Sequence, residues 1–263
     1  MRWATKTKKY LNNTIRLLKD ISDYQRFNLQ SNSINETYEM LKKDGLVVID
    51  DFLTEKECEV LVGKIDGLID KAENVIADEL KSDHRLLGID VVDDTFHKAF
   101  QSEKVIDLIS GYLNTKGSFT MANRVSPIPG NLGSGGGWHR DSYIYPQVKL
   151  IVYLSDVTEN NGPFQYIVGS HRLSKKVLGV VKADYNLDDE KKIPSRYTDS
   201  FIRSKFRTNA LCTITGKKGT AILVDTSGIH RGAPIKEGIR YACTNYCFTT
   251  EVPEKMKTKF VKV

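Results

Sequence analysis

The sequence predicts a mainly β fold with helical decoration, an antiparallel sandwich or barrel, and three observations predict it. From Ser118 onward the chain passes through five short β-rich runs, SFTMANRV, VKLIVYLSDV, PFQYIVG, GTAILVD and IRYACTNYCFTT. Gly, Pro, Asn and Asp, the residues that turn a chain, separate them. The runs follow one another without the long helices that parallel strands need as crossovers.

The elements are justified in chain order. Residues 1–33 place Trp3, Tyr10, Leu11, Ile15, Leu18, Ile21 and Tyr24 at helical spacing among Arg2, Lys6, Lys8, Lys9, Arg16 and Lys19, which predicts a basic amphipathic helix. Such a helix either packs across the outside of a domain, the reading preferred here, or makes peripheral contact with a membrane surface or a partner. It also has features of a mitochondrial presequence, against which Asp20 and Asp23 argue. The next stretch reads as helix, strand, helix: Gly45 closes the first helix, Leu46 to Ile49 form an apolar strand, and Thr54 with Glu57 make a capping box. After the third β run, residues 171–209 interrupt the pattern with charged sequence that includes Lys175, Lys176, Arg203 and Lys205. An insertion of that length between strands is expected to cover the mouth of the barrel and face the substrate.

At 263 residues the chain accommodates one substantial core, so residues 34–263 are expected to form a single catalytic domain. Hydrophobic residues at 40% and charged residues at 27% exclude a disordered or fibrous class. The net charge of +6 is spread among acids, so no nucleic-acid partner is expected. Four cysteines without a CxxC pair indicate a reducing compartment. With no apolar run of membrane-spanning length and no signal-peptide core, a cytoplasmic enzyme is expected. Oligomeric state is not legible.

Chemistry concentrates in GGGWHRDSY. In an extended segment residues i and i+2 share a face, so His139 and Asp141 can bind one metal together. A third ligand is available in LVDTSGIHRGAP, where His230 sits in a turn between Gly228 and Gly232. Two neutral imidazoles and a carboxylate on one face of a metal, with the other positions open, form the facial triad of non-haem iron oxygenases. Ten residues on, Arg240 begins a strand whose alternate members Ala242, Thr244, Tyr246 and Phe248 share its face. Its guanidinium suits the two-pronged capture of a carboxylate.

These segments, with NNGP and GSHR in YLSDVTENNGPFQYIVGSHR and with IHRGAP, resemble the phytanoyl-CoA dioxygenase superfamily of iron(II) and 2-oxoglutarate oxygenases. The resemblance runs from Asn123 to Phe248. It implies a double-stranded β-helix, or jelly-roll, fold. It also implies hydroxylation of a small molecule coupled to conversion of 2-oxoglutarate and O2 into succinate and CO2. His139, Asp141 and His230 would then hold Fe(II), and Arg240 would anchor 2-oxoglutarate. Related halogenases have a small residue where Asp141 stands, so its presence favours hydroxylation. Some relatives place a hydroxyl residue two positions after the distal histidine, where this chain has Gly232, and Asn123 is the expected substitute contact.

Other residues have plainer readings. His171 in GSHR is expected to hold a loop by a hydrogen bond, and His84 and His97 to be solvated or helix-facing. Cys243 and Cys247 read as two buried thiols on one strand face, and Trp138, Tyr143 and Tyr145 as packing. Two rivals to hydroxylation were weighed: desaturation, cyclisation or demethylation with the same cofactors, and a non-catalytic metal-binding jelly-roll module. The basic insertion suggests an anionic substrate.

Overall fold

Helix α1 (Glu36–Asp44) turns Tyr38 and Leu41 inward and ends at Gly45, whose φ of +90° is the left-handed conformation that closes a helix. Gly45 has a second reason to lack a side chain: a Cβ there would fall 2.2 Å from the Tyr166 hydroxyl. Strand β1 (Leu46–Ile49) follows, and helix α2 (Glu55–Ile69) begins at the capping box of Thr54 and Glu57. The computed structural model describes residues 36–142, 145–176 and 195–263, so the expected N-terminal helix and residues 177–194 of the insertion lie outside the described residues.

Strands β2 (Ile76–Ala77) and β3 (Asp83–Leu87) come next, then three short helices, α3 (Ile89–Val92), α4 (Asp94–Phe100) and α5 (Glu103–Ser110). The remaining strands are β4 (Gly117–Val125), β5 (Val148–Tyr153), β6 (Phe164–Ile167), β7 (Leu211–Ile214), β8 (Ala221–Asp225), β9 (His230–Gly232) and β10 (Arg240–Phe248), with helix α6 (Asp199–Lys205) ahead of β7. A seven-stranded sheet has the order β1-β8-β5-β10-β4-β3-β2 and a three-stranded sheet the order β7-β6-β9. Every ladder is antiparallel. The five predicted runs are β4, β5, β6, β8 and β10, and the architecture is the jelly-roll sandwich with helices outside.

Alternation along the strands divides the interior in two. Leu150 and Val152 of β5, Leu223 of β8, and Cys243 and Cys247 of β10 face the helices, where Cys58, Leu61, Ile65, Phe96, Phe100 and Ile109 complete the main core. Their neighbours Tyr153, Ile222, Val224 and Ala242 face the small sheet and pack on Phe164, Tyr166 and Ile214. The helical layer thus stiffens the back of the large sheet, and the inner face is left for the site. Removing one ring of that layer, Phe96 or Phe100, would cost about 3–5 kcal/mol.

The structure corrects three expectations. The segment around His84 is part of the large sheet: β3 pairs with β4 from Asp83↔Val125 to Leu87↔Met121. It escaped the apolar pattern because Asp83 and Arg85 occupy its inward positions. His84 lies on β3 with a buried Nδ1 that lacks a partner, while His97 is exposed on α4. His230 opens strand β9 instead of sitting in an irregular turn. Lys176, expected on a substrate-facing surface, is buried and donates to Ser227 Oγ at 2.7 Å. Lys175, Arg203 and Lys205 are exposed and none lines the central cavity, whereas Arg196 of the same insertion does. No helix among the described residues is long and apolar enough to cross a membrane.

Candidate metal centre

Two distant chain segments meet through their backbones. The His139 amide donates to the His230 carbonyl at 2.9 Å and the His230 amide returns the bond at 3.0 Å, while the Asp141 amide donates to Thr226 O at 3.1 Å. The segment 138–141 is therefore extended without belonging to a regular strand, and His139 and Asp141 point to one side. Arg140, between them, points the other way. Its buried guanidinium donates to Ser170 O at 2.9 Å, to Ser227 O and, through Nε, to the Tyr197 hydroxyl at 3.1 Å. It thereby ties the first ligand segment to the turn that precedes His230.

Asp141 Oδ1 lies 3.6 Å from His139 Nε2, and Oδ2 lies 3.6 Å from His230 Nε2. One ligand atom from each of the three residues falls within 4.8 Å of the others. The far nitrogens settle the tautomers. His139 Nδ1 is 2.8 Å from Gly137 O and His230 Nδ1 is 3.0 Å from Gly228 O. A carbonyl only accepts, so both Nδ1 atoms carry the proton and both Nε2 lone pairs face Asp141. Burial pushes the His230 imidazole down to about 3, against the opposing pull of Asp141, so it is neutral at physiological pH. Burial alone would raise the Asp141 carboxyl, but the Lys149 ammonium 2.6 Å away overrides it and holds the group well below the carboxylate range. Two neutral Nε2 donors and one anionic carboxylate are the set that non-haem iron requires.

The triad lies in a cavity of about 220 Å³ between the sheets. Arg240 lines it from the start of β10 and is 4% exposed. One Nη atom donates to Gly162 O, yet the buried Nε has no partner, and among the described residues no carboxylate lies within ion-pair distance of Arg240. An unpaired buried guanidinium is costly unless something enters to meet it. Asn123 also lines the cavity, donating to Asp83 Oδ1 at 3.1 Å and Ser134 Oγ at 3.2 Å.

Gly232 has a steric reason here. A Cβ at that position would meet Ser134 Cβ at 2.9 Å and Ser134 O at 3.0 Å. The Ser134 backbone and Cβ thus occupy the ground that a side chain at position 232 would take, and the Ser134 hydroxyl accepts from Asn123. No sequence signal marked Ser134, because it sits inside the glycine-rich loop. Arg85 and Lys149 were also missed. Arg85 pairs with Asp83, and Lys149 Nζ lies 2.6 Å from Asp141 Oδ2 and 4.0 Å from the centre of the Tyr246 ring.

The remaining aromatic and histidine candidates stand elsewhere. Trp138 is buried behind the site, donating to Asp199 Oδ1 at 2.8 Å, and Tyr145 is exposed; Tyr143 lies outside the described residues. His171 donates from Nε2 to Lys42 O at 3.0 Å. Cys243 and Cys247 are free and buried.

Residues 41–240 match the family model described as phytanoyl-CoA dioxygenase. A curated relative, the ectoine dioxygenase of Bordetella bronchiseptica, is 19% identical over 205 residues. That alignment covers 72% of this chain and 66% of the relative, slightly less than two thirds of the longer enzyme. Among solved structures, the epimerase SnoN in complex with Fe3+, alpha ketoglutarate and nogalamycin RO superposes with a TM-score of 0.59 at 13% identity, covering 81% of this chain and 82% of its own. HygX from Streptomyces hygroscopicus, with nickel, 2-oxoglutarate and hygromycin B bound, gives 0.56 at 15% identity, with 82% and 88% covered.

Proposed function

The chain belongs to the phytanoyl-CoA dioxygenase family, and from that premise we propose that it is a non-haem iron(II), 2-oxoglutarate-dependent dioxygenase that hydroxylates a small molecule. Residues 34–263 act as its catalytic domain. What carries the assignment is the presence, in one cavity, of a pre-set His139, Asp141, His230 donor triad and a buried Arg240 that has no carboxylate within ion-pair distance among the described residues. A keto diacid fits both needs, since one end chelates a metal and the other is a free carboxylate.

Each residue then has a task. His139 and His230 offer Nε2 and Asp141 one oxygen, with orientation supplied by the Gly137 and Gly228 carbonyls. Arg240 receives the distal carboxylate of 2-oxoglutarate through its unpaired Nε, and Asn123 with Ser134 provides polar contacts beside it. Iron, 2-oxoglutarate and dioxygen together supply an oxidant able to take hydrogen from an unactivated carbon, with decarboxylation of the keto acid to succinate. Met121, Ile151 and Phe164 line the same cavity and keep water from the reacting carbon. The volume is below the roughly 300–1,000 Å³ of a drug-sized site, so only the reacting end of the substrate accompanies the keto acid inside.

A second outcome on the same site, in which the substrate radical is not hydroxylated, is favoured by one observation: SnoN, described as an epimerase, shares the fold. Retention of Asp141 leaves no opening for halide.

The test is anaerobic titration of the purified protein with iron(II) and 2-oxoglutarate. A visible metal-to-ligand charge-transfer band is expected in wild type and absent in His139→Ala and Asp141→Ala. An iron-loaded wild type without the band would move the non-catalytic module to first place.

A further inference from the structure

The charges around the cavity do not balance. Three buried or half-buried cations, Arg85, Lys149 and Arg240, face two carboxylates, Asp141 and, behind Arg85, Asp83. A fourth cation, Arg196, sits at the exposed rim and donates to Gly135 O and Gly136 O. On the reading above, the divalent metal and the dianionic keto acid cancel each other, so the three cations set against Asp83 and Asp141 leave one positive charge over. The Asp141 carboxylate turns to the metal. Lys149 and Arg85 then share the remaining field, and an uncompensated charge in a desolvated wall is strongly unfavourable.

Sheet register places these two cations on either side of one floor. Strands β4 and β10 pair along their whole lengths, with β3 beside β4 and β5 beside β10. Arg85 projects from β3 in the row of Asn123 and Ala242, and Lys149 from β5 in the row of Tyr246 and Phe119, so they flank the β4–β10 pair diagonally, and both line the one cavity. Between them stands Tyr246, held by stacking on Phe119 with ring centres 5.0 Å apart and planes 2° from parallel. Lys149 Nζ lies 4.0 Å from the centre of the Tyr246 ring, which lines the same cavity as Arg85. Among the described residues the Tyr246 hydroxyl finds the sulfur of Met121, 3.8 Å away, as its acceptor. Arg85 uses Nε and one Nη on Asp83, which leaves its other Nη available to the cavity.

We propose that the substrate carries an acidic group, a carboxylate or a phosphate ester, which docks between Arg85 and Lys149 with the Tyr246 hydroxyl donating to it. This inference rests on the oxygenase reading and names its substrate class. Because Lys149 also touches Asp141, the acidic group sits close to the metal ligands, and the oxidised carbon lies only a few bonds from it.

The test uses full-length protein loaded with nickel(II) and saturating 2-oxoglutarate, titrated calorimetrically with inorganic phosphate, acetate and, as the uncharged control, acetamide at constant ionic strength. Saturable heat is expected with phosphate or acetate and none with acetamide. The stronger anion separates the phosphate-ester from the carboxylate substrate. Arg85→Gln and Lys149→Gln should each weaken anion binding at least tenfold, and Arg85→Lys should recover most of it. The iron(II) and 2-oxoglutarate charge-transfer band, recorded on every variant, reports the oxygenase reading separately. A protein that forms the band but binds neither anion, or binds them equally well in both Gln variants, overturns the proposal. Loss of the band in wild type removes the oxygenase reading itself.

Discussion

Replacing Arg240 by Met keeps the bulk of the side chain and removes its charge, which isolates what the guanidinium does. In the absence of 2-oxoglutarate the fold holds this cation buried, with one bond to a carbonyl and an unpaired Nε. Burial pushes its pKa down, with Tyr153 and Asp83 pulling the other way, yet an arginine remains charged. Losing the carbonyl bond costs about 1 kcal/mol, and losing the desolvated charge returns a comparable amount. The stability of the protein without cosubstrate should therefore change by less than about 1 kcal/mol. With 2-oxoglutarate present the outcome differs. Truncating one partner of a buried, hydrogen-bonded charge pair costs about 2–5 kcal/mol, so the 2-oxoglutarate dissociation constant should rise at least about 30-fold. Anaerobic titration of the iron charge-transfer band gives that constant, and urea unfolding with and without 2-oxoglutarate gives the two stabilities. A dissociation constant within threefold of wild type would refute the assigned partnership. So would a variant several kcal/mol less stable before any cosubstrate is added, since Arg240 would then be a structural residue.

Three further outcomes follow from the geometry. Ser134→Ala removes one neutral hydrogen-bonding group and should raise the 2-oxoglutarate dissociation constant about two- to tenfold, measured by the same titration. Gly232→Ala drives a methyl group into Ser134 and should cost about 1–3 kcal/mol in urea unfolding while weakening 2-oxoglutarate binding; Gly232→Ser, which restores the hydroxyl some relatives have, should fare no better. Lys176 has its pKa pushed down to about 8 by burial, with Asp225 opposing. Between about pH 8 and 10.5 the unfolded chain keeps a proton that the fold has released, so stability contributed at this site rises with pH across that window. Lys176→Met should remove up to about 2 kcal/mol of the rise between pH 7.5 and 9.5, and parallel pH profiles for wild type and variant would exclude the effect.

How legible these features are in the amino-acid string depends on what each strand faces. Strands β5, β8 and β10 are buried on both sides and announce themselves as apolar runs. Strand β3 lines the cavity with Arg85 and buries Asp83 behind it, so its inward positions look like surface in the sequence. Strand β7 pairs only with β6 and exposes Leu211, which leaves little pattern to detect. At the site, His139, Asp141, His230 and Arg240 were marked by spacing, and the structure brings all four to one cavity together with Asn123. Lys149 was invisible because a lone lysine in a strand reads as a solvated edge, and its burial depends on Asp141 and Tyr246 from other segments. The lysines of the insertion misled for the converse reason: composition counts charges but not their direction, and Lys176 turns inward to Ser227.

The reciprocal backbone bonds between His139 and His230 have a consequence for how the chain comes apart. They join segments about 90 residues apart in sequence, and β9, which holds one side, is only three residues long. Alone, two amide bonds at the end of so short a strand are a weak latch. A metal bound across His139, Asp141 and His230 closes the same large loop with coordinate bonds, and a clip that closes a long loop restrains the unfolded chain most. Such an ion would work as a removable staple, its binding energy added to that of folding. Stripping the ion should first loosen this seam, exposing the turn around Ser227 to proteases while the helix-backed sheet behind it stays shut.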